Sequence, residues 1–572
     1  MRSSFFGLNV ATQGLYSSRT SLDVTNHNIT NAETEGYSRQ VAEQKATRPL
    51  PAYSEKGMIG TGSEVVSIDQ MRNQYFDVKY WNTIQHFGEY QVKDEQMKQL
   101  ETIFKEPTDA GFSVEFNRMF EQLQRLSTNA GDEAYRSTFK DSAISFVSFF
   151  NSMDEQLRNM QRDLNFSVKS KVEEINFIAN QLGSINGQIA NLELDGSKAN
   201  DLRDERAVLI DQLSKVVNVK TNEVDQGNNT KRFAVTINGQ VLVDGNKANY
   251  LELSPRDTLY NPEDEPDLYD IYWESGQQFY LDDNKLGGEL KGLLDMRDGN
   301  NEENFKGQVA STGNPLIVED INRLDIPTSG EIMVDNVLVE YTNYIYDDVN
   351  NRIEFEVDPA TVPAGASNVE IGNSMDYKGV PYYINRINEF VRTFAKNVNG
   401  IHKQGEDLNG NTDQVLFSYE GYNGSPPLDE NDALSYNQIT ANNFTLDSRI
   451  IDDISNIATT YDISAGLDSN DLVLDLLNLK NDLDMFDKGK PESYMQALIS
   501  ELGIDAKQAT NFKEGQENML LTIENQRLSF SGVDLNEETA NMLKFQHAYN
   551  LAAKMIGVMD EIYDVTINGM GV

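Results

Sequence analysis

The chain has no cysteine and only four histidines among its 572 residues, so two common sources of catalytic and metal-binding side chains are scarce. Without cysteine the chain forms no disulfide and offers no thiolate ligand, which fits an oxidising location outside the cell without requiring one. The histidines show no H-x-x-x-H or comparable ligand spacing, and no Gly-x-Ser-x-Gly motif supports a nucleophilic serine. The sequence therefore predicts a protein that is not an enzyme and binds no cofactor or metal.

Basic residues are scarce as well: 48 Lys and Arg stand against 91 Asp and Glu, a net charge of −43. Because so acidic a surface repels nucleic acid and anionic lipid, we expect neither as a partner. No run approaches the roughly 20 apolar residues that cross a bilayer, so we expect no membrane insertion. The first residues lack the apolar core of a cleavable signal peptide. A protein exported from the cell would then keep its N-terminus.

Proline is missing from residues 108–254 and from the chain after Pro491, whereas ten of the 14 prolines lie between Pro255 and Pro427. Since proline breaks helices from inside, the regions without it are where long helices can form. The chain is also long enough for several domains. Helical patterns are predicted for the following segments: 71–105, 115–127, 135–168, 172–194, 201–217, 382–401 and parts of 447–530.

The middle of the chain changes from a helical to a strand period. Apolar residues alternate on both sides of Asn238-Gly239 within 233–243, and Asn-Gly suits the two-residue turn of a hairpin. The same alternation recurs within 331–357. The proline-bearing runs 254–270 and 358–381 are predicted to be loops around a β-rich insertion.

Both ends of the chain carry apolar residues at intervals of seven. At each end a second row of residues follows three positions after the first row. A repeat of seven keeps one stripe of a helix facing a partner helix, as in coiled coils. The spacing is equally compatible with two ordinary amphipathic helices buried in a core. If the stripes are an assembly interface, its residues are Leu8, Leu15, Leu22, Ile29, Leu535, Met542, Phe545, Tyr549, Ala552, Ile556, Met559 and Tyr563.

The two terminal helices are predicted to differ in intrinsic stability. Asp534 can cap the last helix, and Glu537 three residues later completes a capping-box pattern. That helix would run to about residue 568 and measure about 50 Å. The N-terminal repeat contains Gly7, Gly14 and many polar residues that lower its helix propensity. We expect such a helix to fray alone and to become ordered when neighbours cover it.

Two polar segments resemble ligand sites only in part. The GTG at residues 60–62 lacks the third glycine of a dinucleotide-binding loop, so a turn before the strand 65–68 is the preferred interpretation. Residues 407–413 begin like a calcium loop, but Thr412 stands where glycine is needed. Ser418 stands where a bidentate glutamate would close the site. The segment is therefore predicted to be a turn.

Six segments, in order along nearly the whole chain, resemble signature segments of the axial proteins of bacterial flagella. The first, NITNAETEGYSRQ at 28–40, is similar to N-I-A-N-x-x-T-x-G-Y/F, with Thr30 in place of alanine. No segment in 300–380 resembles the family. The five others are IGTG at 59–62, NDLRDER at 200–206, GGELKGLLDMRD at 287–298, NGIHKQGEDLNG at 399–410 and SGVDLNEE at 531–538.

The GYSRQ ending of the first segment is similar to that of the hook-associated members of the family. This resemblance implies a structural adaptor at the hook–filament junction, on the extracellular flagellum, whose terminal helices line the inner tube of a polymer. It implies as partners other copies of the chain in a ring, the hook protein, the next hook-associated junction protein and an export chaperone on the C-terminal helix. Flagellin or a hook or rod subunit is the alternative within the family. A secreted enzyme or adhesin, active through its β-rich middle, is the alternative from another class.

Pattern and resemblance together predict a multidomain α+β fold. Residues 1–65 and 530–572 would form a terminal coiled-coil domain. Residues 66–225 and 382–529 would form a discontinuous helical bundle, partly β-rich near 405–450. Residues 226–381 would form the β-rich insertion.

Overall fold

A computed structural model describes the fold of residues 6–51, 57–104, 111–227, 230–256, 259–280, 286–300, 304–324, 326–335, 337–371, 377–432 and 434–569. The α-helices are α1 (Phe6–Thr30), α2 (Gln74–Phe104), α3 (Phe112–Thr128), α4 (Glu133–Leu192), α5 (Asn200–Val216), α6 (Glu289–Asp298), α7 (Val380–His402), α8 (Ser448–Asp452), α9 (Asp471–Asn478), α10 (Pro491–Ser531) and α11 (Leu535–Asp564). Within the described ranges no helix is both long enough and apolar enough to span a membrane.

Four strands follow α1, and the other strands lie in the middle of the chain and near residues 417–446. They are β1 (Gln40–Ala46), β2 (Leu50–Pro51), β3 (Met58–Ile59), β4 (Ser63–Gln70), β5 (Val219–Gly227), β6 (Thr230–Ile237), β7 (Gln240–Asp244), β8 (Lys247–Ala248), β9 (Leu251–Pro255), β10 (Tyr269–Trp273), β11 (Phe305–Thr312), β12 (Leu316–Glu319), β13 (Gly330–Val334), β14 (Val337–Asp347), β15 (Arg352–Val357), β16 (Asn368–Ile371), β17 (Phe417–Tyr419) and β18 (Phe444–Leu446). The predicted α+β character is confirmed.

Helix α4 is one continuous helix of 60 residues, where the sequence pattern predicted two helices. The predicted break at 169–171 was wrong because the apolar face does not stop there. Val168, Val172 and Ile175 are all buried and follow each other at helical spacing. Asp132 caps the start of the helix by accepting a hydrogen bond from the Ala134 N–H. Helix α2 ends at the last described residue before a gap, and Lys105, predicted as its end, lies outside the described residues.

The predicted hairpin around Asn238-Gly239 is confirmed. Strands β6 and β7 pair in antiparallel fashion, and both turn residues have positive φ, 45° and 77°. Asparagine and glycine tolerate this backbone conformation better than other residues, so the local sequence determines the turn. The predicted loop 358–381, in contrast, contains strand β16 and the first residues of α7. Its four-residue strand is too short to show a clear alternation.

Strands β11 to β16 close into a six-stranded antiparallel barrel in the order β11-β12-β15-β14-β13-β16. The barrel closes where β11 pairs with β16, in a register that places Phe305 opposite Ile371. Alternate residues of these strands point inward and form a hydrophobic core of their own, which includes Val334, Val339 and Phe355.

A second and much larger hydrophobic core joins the helices from α2 to α10 with strands β5 to β10. Val235, Ile237 and Trp273 are buried in it although they belong to the predicted insertion. A separate core thus begins at Phe305 and not at residue 226. The division of the chain into three domains stays a prediction.

The chain leaves the terminal region through β1–β4 and α2 and returns to it through α10 and α11. Helices α2 and α10 pack against each other in antiparallel fashion, with the rings of Tyr90 and Phe512 stacked at 4.9 Å. Helices α1 and α11 form a second antiparallel pair. The ends of the sequence therefore meet, as the matched stripes predicted, and this second pair is the candidate functional site.

Candidate functional site: the paired terminal helices

Helices α1 and α11 pack so closely that two glycines of α1 lie directly against side chains of α11. A Cβ atom added to Gly7 would lie 2.7 Å from the Met559 side chain, and one added to Gly14 would lie 4.0 Å from the Ala552 Cβ. One step of seven residues along α1 is thus matched by one step of seven back along α11. The glycines that lower the helix propensity of α1 also allow this close approach.

The predicted α11 stripe lies on the face that meets α1. Ala552 and Met559 face the glycines of α1, and the other members share that face and are half-buried, except for Leu535 at the base, which is 49% exposed. On α1 the predicted leucines are only half-buried, and the fully buried positions are small or polar. These positions are Ala11, Ser17, Ser18, Ser21, Val24, Thr25 and Asn28.

The polar side chains of α1 are buried because the helix also packs on the β1–β4 ribbon. The Ser17 hydroxyl donates to the Ser63 carbonyl at 2.8 Å, and the Gln44 amide donates to the Ser21 hydroxyl at 2.8 Å. Helix α1 therefore lies between a helix and a ribbon and needs small residues toward both. The heptad spacing on α1 did not predict this contact with the ribbon.

A second apolar stripe on α11 was missed by sequence analysis. It points away from α1, and its members are between 48% and 64% exposed. Its sequence signal is a run of 4-3-4-3 spacings from residue 551 onward, as regular as the predicted stripe. The members are Leu543, Leu551, Met555, Val558, Ile562 and Val565. A helix that is apolar on two faces and packs on one has a free face.

Asn28 lies at the base of the pair and is 1% exposed. Its amide group donates to the Gln40 carbonyl at 2.8 Å and to the Glu538 carboxylate at 3.2 Å. Its side-chain oxygen accepts from the Gln40 N–H at 2.9 Å and from the Tyr37 hydroxyl at 2.8 Å. Burial, with a contribution from nearby carboxylates, raises the pKa of Tyr37, so the phenol stays a donor. Asn28 thus ties α1 to the strand that follows it and to α11.

Arg39 completes this base from the other side. Its guanidinium donates to Glu538 at 2.8 Å and to Glu537 at 2.6 Å, and its backbone N–H donates to the Ser531 carbonyl at 2.9 Å. Glu538 is 2% exposed, so its charge is balanced by Arg39 inside the protein. The predicted cap by Asp534 is confirmed, since its carboxylate accepts from two N–H groups of the first turn. Glu537, however, pairs with Arg39 and not with the cap.

The first signature segment also contacts the segment NDLRDER on α5. Asp204 accepts hydrogen bonds from the Ser38 N–H at 2.9 Å, from Gln70 at 2.9 Å and from Arg72 at 3.3 Å. Burial raises the pKa of Asp204, and its hydrogen bonds oppose that rise. Gly36 has φ +74, and an added Cβ would lie 2.1 Å from Val208 of the same helix. The signature segments 28–40 and 200–206, which are far apart in the sequence, thus pack against each other.

Two further ionisable side chains, Asp407 and His402, form hydrogen bonds within the fold. Asp407 accepts two backbone N–H groups and the amides of Asn411 and Gln414, so its carboxylate already has four donors. His402 is buried between the Gln414 carbonyl and the Ala458 N–H, and burial lowers its pKa to about 4. Among the described residues no group of three or more His, Asp or Glu side chains has the arrangement of a metal site.

Comparison with known proteins gives similarities over the whole chain. Residues 97–312 match the family model of the flagellar hook-associated protein FlgK helical domain. Residues 524–569 match the model of the flagellar basal body rod FlgEFG protein C-terminal region. The second match covers α11 and the turn before it.

Two full-length relatives share the name flagellar hook-associated protein 1. Flagellar hook-associated protein 1 of Bacillus subtilis is 28% identical, covering 100% of this chain and 99% of the relative. Flagellar hook-associated protein 1 of Escherichia coli is 24% identical, covering 98% and 99%. A solved structure of the flagellar hook junction protein FlgK from Burkholderia pseudomallei is 15% identical with a TM-score of 0.47, covering 79% of this chain and 100% of that one. The full-length similarities and the two family models thus agree that this chain is similar to flagellar hook-associated protein 1.

Proposed function

We propose that this chain is a structural subunit of the bacterial flagellum that joins hook to filament and assembles through its paired terminal helices. The observation that carries the proposal is the second apolar stripe of α11, which stays open after α1 has covered the first stripe. Exposed apolar rows of this length are unusual on a soluble subunit unless another molecule covers them.

The two stripes have separate roles in this proposal. The predicted stripe, from Leu8 to Ile29 and from Met542 to Tyr563, holds α1 and α11 together as one unit. The second stripe, centred on Val558, meets neighbouring copies in a ring. The same unit would continue the helical lining from the hook protein to the next hook-associated junction protein. A coiled-coil geometry of the pair belongs to this proposal.

The second stripe of α11 also suggests how the chain is kept soluble before export. Before assembly the second stripe would be exposed in the cell, where an export chaperone could cover it. The relatives' names associate them with the flagellar hook, and export of this chain from the cell is part of the proposal. The full-length similarity to hook-associated protein 1 favours this function over that of a flagellin. None of the similarities supports the enzyme alternative.

Val558→Asp tests the assembly role. Val558 is 48% exposed in the single chain, so the substitution should leave the melting temperature of the monomer within about 2 °C. In a subunit interface the added carboxylate would be buried without a partner, which is costly. Cells carrying the variant should keep hooks, lose stable filaments and release flagellin into the medium.

Gln546→Asp is the matched control, because it adds the same charge on the polar face of the same helix. It should leave filaments normal. Secretion of both variants must be measured first, since a chaperone on α11 would also be affected. Normal filaments on cells that secrete Val558→Asp at the natural level would contradict the proposed interface.

A further inference from the structure

The heptad stripes leave the register of the terminal pair undetermined. Sliding α1 by seven residues along α11 again brings stripe against stripe, and such a slip moves the helix by about 10.5 Å. Residues 31–39 connect α1 to β1 and span up to roughly 30 Å when extended. The length of that connection alone does not prevent a slip. Another feature must select the observed register.

The polar contacts at the base exist in one register only. In the structure Asn28 faces Glu538. A slip of seven residues would place Asn28 opposite Phe545 in one direction and opposite Ser531 in the other. In both cases the hydrogen bond between Asn28 and Glu538 is broken. Buried polar groups without partners are costly, and a single buried polar contact is known to fix the register of paired helices.

We infer that Asn28, Arg39 and Glu538 form a register clasp, which selects one register of α1 and the α11 of the same chain as its partner. Arg39 supplies the choice of partner, because its side chain binds Glu538 at the start of α11 and its backbone N–H binds Ser531 at the end of α10. In a neighbouring copy the same acceptors are occupied by that copy's own Arg39. This pairing is a property of one chain and is independent of what the chain assembles with.

The absence of cysteine makes the inference directly testable in the full chain. An added Cβ at Gly14 lies 4.0 Å from the Ala552 Cβ, a distance that suits a disulfide. Gly14→Cys with Ala552→Cys therefore reports the observed register. Gly14→Cys with Phe545→Cys, or with Met559→Cys, reports a slip of seven residues in either direction. The fraction of each disulfide is measured at equilibrium in glutathione buffers.

The clasp is then removed by combining Asn28→Leu with Glu538→Leu. With the clasp intact, the in-register disulfide should be favoured over both slipped ones by about tenfold or more. Apolar replacement should keep the helices paired while this ratio falls severalfold, the remainder being due to the contacts of Ser17 and Ser21 with the ribbon. A merely structural role would weaken all three disulfides together and leave the ratio unchanged. Glu538→Gln, which can still bond Asn28, should give an intermediate ratio.

Partner choice is measured by mixing chains that carry only Gly14→Cys with chains that carry only Ala552→Cys. Disulfide-linked dimers should be rare with the clasp and several times more frequent in the double leucine variant. The inference is overturned if slipped disulfides form as readily as the in-register one in chains that keep the clasp. It is equally overturned if the leucine variant leaves both the ratio and the dimer fraction unchanged.

Discussion

Two antiparallel helix pairs are built from opposite ends of the chain, and they differ in how completely the chain buries them. In the α2–α10 pair, Leu100 is fully buried, and Leu498 and Leu502 are at most 2% exposed. In the α1–α11 pair the stripe leucines of α1 are half-buried, and α11 has a row of exposed apolar residues besides. The first pair belongs to the large hydrophobic core, and the second extends beyond it.

Polar contacts show the same difference. Asp94 on α2 binds Lys98 on its own helix and Thr510 and Lys513 on α10, midway along the pair. Between α1 and α11, Asn28 donates to Glu538 at the base of the pair. Elsewhere on α1, Ser17 donates to the ribbon and His27 contacts Asp201 of α5. The α2–α10 pair is thus buried around Leu100 and Leu498, although Met519, Leu521 and Leu528 toward the end of α10 are more than half exposed. The α1–α11 pair is anchored at its base and leaves apolar surface along α11.

Hydrogen exchange should show the largest difference between the pairs. In a demonstrated monomer we expect residues 97–104 and 494–509 to exchange at least about a hundredfold more slowly than 6–20 and 545–569, because few buried contacts hold the tip of the terminal pair. Protection along α1 should increase toward Asn28, where the helix is anchored. Equal protection of both pairs in the monomer would remove the distinction.

Truncating one leucine in each pair should give a smaller but still clear difference. Leu100→Ala removes a fully buried side chain and should lower the free energy of unfolding by about 3 kcal/mol. Leu22→Ala, on a half-buried stripe that does not support the core, should lower it by less than about 1 kcal/mol. Urea unfolding of the monomer followed by circular dichroism measures both, with the denaturant slope as a check that the transition is unchanged. Similar losses in the two variants would mean that the terminal pair folds as part of the core.

Features determined by neighbouring residues could be predicted from the sequence. The Asn238-Gly239 turn, the Asp534 cap and the helices α3 and α5 were predicted from local signals, and the structure contains them. The matched stripes also predicted that the ends of the chain meet. Each of these predictions depends on residue spacing or turn-forming residues that lie close together in the sequence.

Features determined by distant residues could not be predicted. Asn28 and Glu538 are 510 positions apart in the sequence, and no local pattern indicates that they touch. The barrel closes through β16, a strand of four residues inside a predicted loop. The second stripe of α11 was visible in the sequence, but only the structure shows which of two apolar faces α1 covers. The predicted assembly interface therefore stays a prediction: its α11 stripe lies on the face that meets α1, and the contacts that we propose between copies use the other apolar face.

The smallest difference between the pairs should appear in acid. Burial alone would raise the pKa of Asp94, but hydrogen bonds from Lys98, Thr510 and Lys513 outweigh it and lower the pKa to about 2. A carboxyl whose pKa is lowered by folding stabilises the folded state above its unfolded pKa, near 4, and loses that contribution as the pH falls toward 2. Asp94→Asn should therefore lower the free energy of unfolding by about 1 kcal/mol at pH 7, and the difference from the unchanged protein should disappear near pH 2.

Glu101→Gln is the matched control for this acid effect, since it removes the same charge from an exposed position of α2. Its unfolding free energy should follow that of the unchanged protein at every pH. Urea unfolding between pH 2 and pH 7 measures all three proteins under the same conditions. A pH-independent loss in Asp94→Asn would show that the side chain acts by packing. A loss confined to pH above about 3 would show that its charge joins α2 to α10 midway along the pair, whereas the contact of Asn28 with Glu538 joins α1 to α11 at the base.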